Sequence, residues 1–130
     1  MAYAWGDHVG ELELAIMARS REAVFAEGAR ALGELLGDGD GDAEVRAVAV
    51  EGRELPALLA GWLEELVFLA ETEGFVPAAV RSLELGDGGV QAVVAGRRGS
   101  PPHLVKAVTY HRLAFEPDGE GWYARAVLDV

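Results

Sequence analysis

The sequence of 130 residues carries 22 acidic against 11 basic side chains, a net charge of −11, with 51% hydrophobic residues and no cysteine. Length and composition fit one folded domain spanning residues 1–130, and the missing cysteines exclude disulfides and thiolate metal sites. The acid excess argues against independent binding to a phosphate backbone, which needs clustered Lys and Arg, and favours a basic protein partner or a cation site.

The first strand is expected over Glu11 to Ala18, where Leu12, Leu14 and Ile16 alternate with Glu11 and Glu13. Ser20 is placed to cap a helix that carries Val24, Phe25, Gly28, Leu32, Leu35 and Leu36 along one face and stops at Gly37. The run Gly37 to Asp42 alternates Gly with Asp like the opening of a calcium loop. The sixth and twelfth positions counted from Asp38 are Ala43 and Ala49, where that loop needs Gly and Glu, so it reads as a solvated turn. A second strand follows, Val45 to Glu51. The next helix begins near Glu54-Leu55-Pro56, with Leu55, Leu58, Leu59, Trp62, Leu63, Leu66 and Leu69 at amphipathic spacing. Two hairpins complete the chain. Phe75 to Leu85 and Val90 to Gly96 flank Gly86-Asp87-Gly88-Gly89; Lys106 to Glu116 and Trp122 to Val130 flank Pro117 to Gly121. The order β-α-β-α-β-β-β-β implies an α+β fold, two helices packed on a mixed β-sheet.

No apolar run approaches the ~20 residues of a membrane helix. The opening MAYAWGDH has neither the basic start nor the apolar stretch of a signal peptide, so a cytoplasmic protein is expected. The histidines His8, His103 and His111 have no zinc-binding spacing, and no nucleophile elbow, P-loop or dinucleotide fingerprint is present. One cation stands apart: Lys106 is the only Lys beside ten Arg, which points to a position that wants a compact ammonium. On pattern alone, Glu11 reads as a solvent-facing strand residue, His8 as a hydrogen-bonded surface residue, and Asp129 as part of a frayed end.

Three segments add more: His8-Val9-Gly10-Glu11-Leu12-Glu13-Leu14, then His103 through Lys106-Ala107-Val108-Thr109-Tyr110-His111, and Trp122 through Ala126-Val127-Leu128-Asp129-Val130. Their order and spacing resemble the archease family. Its members enter a strand through His-Thr-Ala-Asp, carry a late strand of Lys followed by Ala-Val-Thr-Tyr-His, and finish in Asp followed by Ile or Val. The segment Leu58 to Leu66 also resembles the family's second helix, so the resemblance spans essentially the whole chain as a single archease-like domain. It implies a divalent metal (calcium, magnesium or manganese) held by Glu11, Asp129 and Val130. His8, Thr109 and His111 would support that site, and Lys106 would contact a phosphate or the partner. Val9 and Gly10 replace the family's Thr and Ala. Glu11 replaces its Asp, which keeps the charge but moves the donor outward by roughly a bond length. The implied function is that of a non-enzymatic activator of an RtcB-type RNA ligase in tRNA splicing and RNA repair, promoting guanylylation and turnover of the ligase. The rival expectations are an independent metal-dependent hydrolase using Glu11, Asp129 and His8, and a chaperone-like protein-binding module using the Trp62 helix.

Overall fold

The computed structural model describes residues 2–37, 39–101 and 105–130, without the side chain of His8. Among the described residues nine elements follow in order: β1 (Ala2–His8), β2 (Glu11–Ala18), α1 (Arg21–Leu36), β3 (Ala43–Glu51), α2 (Leu55–Glu73), β4 (Phe75–Gly86), β5 (Gly89–Arg98), β6 (Ala107–Asp118) and β7 (Gly121–Asp129). The α+β class and both helices are as the sequence implies. The sheet is resolved into two, ordered β1-β2-β7-β6 and β3-β5-β4, and all their pairings are antiparallel rather than mixed.

Strand β1 lies where sequence analysis placed none. Its Ala and Gly are poor strand formers, yet Tyr3 and Trp5 alternate and pack against the core. The hairpin to β2 closes through Val9-Gly10, and Gly10 adopts φ +73°, a conformation glycine tolerates without steric cost.

Helix α1 begins at a side-chain cap, and α2 at a proline. Ser20 accepts a hydrogen bond from the Ala23 N–H at 3.1 Å, a cap worth about 1 kcal/mol. Pro56 sits in the first turn of α2, and Gly74 ends that helix in the left-handed conformation. Helix α1 lies on β2 and β4, and α2 on β3, β4 and β6, so the pair ties both sheets into one core. Gly33 lets α1 approach β4, because a side chain there would overlap the Pro77 carbonyl. Trp62 is fully buried; its ring meets Phe25 edge-on at 6.0 Å, and its indole N–H donates to the Phe25 carbonyl at 2.9 Å. Truncating such a residue to Ala costs about 3–5 kcal/mol. The α2 face carrying Trp62 is therefore core and unavailable to a partner.

Candidate metal and partner site

The N-terminal hairpin β1–β2 and the C-terminal hairpin β6–β7 meet where β2 pairs with β7. At one end of this sheet a single row runs across all four strands: His8 opposite Glu11, Glu11 opposite Asp129, and Asp129 opposite Ala107. Strand alternation sends Leu14, Ile16, Ala126 and Leu128 into the core. Glu11, Glu13, Val127 and Asp129 therefore face outward on the same side. Directly opposed residues bring their Cβ atoms about 4.5–5.5 Å apart, so the Glu11 and Asp129 carboxylates share one small region. Both are half-buried.

The backbone fixes this end of the sheet from both sides. The Lys106 N–H donates to the Asp129 carbonyl at 2.8 Å, and the Val130 N–H donates to the Gly10 carbonyl at 3.1 Å. Like charges directly opposite each other are unfavourable. Among the described residues, neither Glu11 nor Asp129 has a cationic side chain in an ion pair. Two carboxylates with nearby main-chain oxygens form a donor set that suits a hard divalent cation. Among the described residues no group of three His, Asp or Glu converges on one point. The His8 side chain and all of His103 lie outside the described residues.

Lys106 is exposed and precedes β6, which begins at Ala107. It borders a cavity of about 560 Å³ between the end of α2 and the chain after β5, lined by Glu71, Gly74, Ser100 and Val105 among others. Strand alternation would put Lys106, Val108, Tyr110 and Arg112 on one face of this segment, and that face-sharing does not hold. The ladder breaks between Thr109 and Ala114, so Val108 is buried while Tyr110 is 60% exposed. Thr109 is half-buried and accepts the His111 N–H at 3.2 Å, whereas the His111 side chain is exposed. The cause is a bulge, which single-strand alternation does not anticipate.

Sequence analysis missed the group beside this bulge. Glu13 on β2 pairs with Arg112 on β6 and lies 3.5 Å from Arg125 on β7. Its sole signal was the alternation of Glu13 with Glu11; the partner 99 residues away left none. A second charged group forms on the other sheet. There Glu44 accepts from Arg46 at 2.5 Å and Arg98 at 2.9 Å, and Arg46 also reaches Glu73 at 2.6 Å. The Arg98 and Arg46 bonds hold the Glu44 carboxyl below its ordinary value, and Glu73 and Glu44 raise the Arg46 guanidinium.

Two helices on two antiparallel sheets, with two carboxylates opposed at one end of the four-stranded sheet, define a small α+β domain. Residues 3–130 match the profile of the archease protein family. The chain is 33% identical over 135 residues to an archease of Methanopyrus kandleri, covering 95% of this chain and 96% of that protein. It is 29% identical over 139 residues to an archease of Methanosarcina acetivorans, covering 98% and 95%. In structure it is similar to a Methanobacterium thermoautotrophicum protein solved in solution (TM-score 0.72, 22% identity, 98% of both chains). A crystallised archease of Thermotoga maritima, named a possible chaperone, is similar to the same degree (TM-score 0.71, 21% identity, 96% of this chain and 94% of that one). The chain belongs to the archease family. Among its described residues no helix is long and apolar enough to cross a membrane.

Proposed function

We propose that this protein is an accessory factor of an RtcB-type RNA ligase, acting on the ligase in the cytoplasm rather than on RNA itself. The observation that supports this best is the Glu11–Asp129 pair, two carboxylates brought together by the joining of the first and last hairpins. Glu11, Asp129 and a main-chain oxygen of Val130 would hold calcium, magnesium or manganese. When bound, such a cation supplies positive charge that compensates phosphate oxygens. The protein's own residues have separate tasks. The two strands hold the carboxylates in register, the Gly10 and Lys106 backbone contacts fix the chain on either side of Asp129, and Lys106 offers an ammonium to a phosphate or an acidic group of the ligase. His8, Thr109 and His111 support this end of the sheet.

The test is guanylylation of the ligase with and without this protein, alongside Asp129→Ala. Stimulation by the wild type and its loss in the variant are the expected results. A wild type that leaves guanylylation unchanged refutes the assignment. The protein alone should bind RNA weakly, because a net charge of −11 leaves little counterion release to drive association. Micromolar affinity for a tRNA half at physiological salt, without the ligase, would contradict this.

A further inference from the structure

The β6–β7 ladder pairs Thr109 with Val127 and resumes at Ala114 with Arg125, so the four residues Tyr110 to Leu113 stand opposite Ala126 alone. A bulge of this kind bends the strand and re-aims its side chains. Three contacts hold it against the outer face of the sheet. The Arg112 guanidinium bonds the Glu13 carboxylate two strands away, which carries the side chain across β7. Arg125 Nε donates to the Arg112 carbonyl at 2.8 Å and stands 3.5 Å from Glu13 Oε1. The His111 N–H bonds Thr109 Oγ1 at 3.2 Å. Val127 lies in the same row as Glu13 and Thr109, and it is only 2% exposed despite facing outward. A bridge spanning β7 at this row accounts for that.

Arg112 has φ 58°, and among the described residues it is the one non-glycine with a positive φ. A residue with a Cβ persists in this region only where its surroundings over-determine it. The two guanidiniums would also repel each other without a shared anion, and Glu13 is the carboxylate both approach. The segment held in this way carries Tyr110, exposed and three residues along β6 from Ala107, which stands in the row of Glu11 and Asp129. Tyrosine is among the commonest anchors at protein interfaces, because a rigid aromatic body and a polar tip lose little entropy on docking.

We propose that Glu13 is a positioning residue. Through Arg112 and Arg125 it locks the Tyr110–Leu113 bulge, and the locked bulge presents Tyr110 to the ligase on the same sheet as the Glu11–Asp129 pair. The ligase as partner rests on the proposed function; the lock does not.

Two measurements separate these parts. Backbone order parameters by NMR should be about 0.85 through residues 110–113 of the wild type and fall below about 0.6 in Glu13→Gln, while α1 and α2 stay rigid. The charge swap Glu13→Arg with Arg112→Glu should restore the order. A bulge that stays rigid in Glu13→Gln, or is already mobile in the wild type, overturns the lock. In the guanylylation assay, Tyr110→Ala should raise the concentration for half-maximal stimulation about tenfold, and Glu13→Gln roughly threefold. The maximal stimulated rate should not change, and the swap should restore the Glu13→Gln loss. If the wild type stimulates while Tyr110→Ala and Glu13→Gln match it, Tyr110 presentation is wrong and the ligase assignment stands. If the wild type itself does not stimulate, the proposed function falls and takes the docking half of the inference with it, while the NMR result decides the lock.

Discussion

On the three-stranded sheet each carboxylate of the Glu44 group meets a guanidinium: Glu44 with Arg46 and Arg98, and Glu73 with Arg46. On the four-stranded sheet Glu11 and Asp129 face each other, and among the described residues no side-chain cation joins them. The first group links β3, the end of α2 and the end of β5, and its charges are balanced within the fold. The second leaves negative charge on a face where the fold has placed a like pair in register. Glu13 makes the contrast sharper, because two residues along from Glu11 the same strand has recruited Arg112 and Arg125. Arginine was thus available to this face but does not serve Glu11 and Asp129. Balanced carboxylates hold elements together, whereas an unbalanced pair favours a cation or cationic partner.

The contrast is tested most severely by removing one member of the unbalanced pair. Asp129→Ala should weaken calcium or manganese binding at least tenfold, since even outer partners of a metal site are worth about 10–100-fold in affinity. Glu44→Gln should leave binding unchanged. Calorimetry on the three proteins checks this, and equal binding by Asp129→Ala and wild type would remove the cation from this end of the sheet.

Lys106 comes next in expected effect. Its ammonium is exposed, and among the described residues it forms no ion pair, unlike Arg46 and Arg98. Lys106→Arg should melt like the wild type, because an exposed substitution rarely shifts stability by more than ~0.5 kcal/mol. It should still lose a substantial part of the guanylylation stimulation, since a planar guanidinium does not reproduce a point-charge contact. Lys106→Ala should lose more. Full stimulation by Lys106→Arg would show that the lone lysine has no special role.

Much of this architecture was legible in the sequence because its signals are local. Ser20, Gly37 and Pro56 mark helix ends, and Leu12 to Ile16 alternate with period two. The Ala2–His8 strand was missed because Ala and Gly dilute its pattern, although Tyr3 and Trp5 carry the alternation. Glu11 and Asp129 were picked out by family resemblance, whereas their facing one another depends on strand register between the two ends of the chain, which no local pattern encodes. The bulge at Tyr110 and the Glu13–Arg112 bridge were invisible for a related reason. A strand read by alternation alone has no place for four residues opposite one.

A smaller effect separates the two groups by sign. In chelator, Asp129→Asn removes one of two opposed charges and should stabilise the protein by roughly 0.2–1 kcal/mol, the range for cross-strand pairs. Saturating calcium should reverse the order, because a cation that binds the native state stabilises the wild type by mass action. Thermal melts of both proteins in chelator and in calcium give the comparison, and a destabilised Asp129→Asn in chelator would mean that the pair is already balanced.

The smallest effect is expected at Glu44, and its pH dependence identifies its origin. The Arg98 and Arg46 bonds hold the Glu44 carboxyl below the ordinary glutamate value of about 4.5. A depressed carboxyl contributes stability that is present above the ordinary value and is lost as pH falls through the depressed one. Arg46 is shifted upward from a value already far above neutrality, so its charge does not change across this window. Glu44→Gln should therefore be slightly less stable than the wild type near neutral pH, and the two melting curves should converge in acid. Because both Arg partners reach solvent, added salt should narrow the neutral-pH gap as well. A gap of constant size at every pH would assign the Glu44 contribution to packing or uncharged hydrogen bonding. The contrast would then rest on the Glu11–Asp129 side alone.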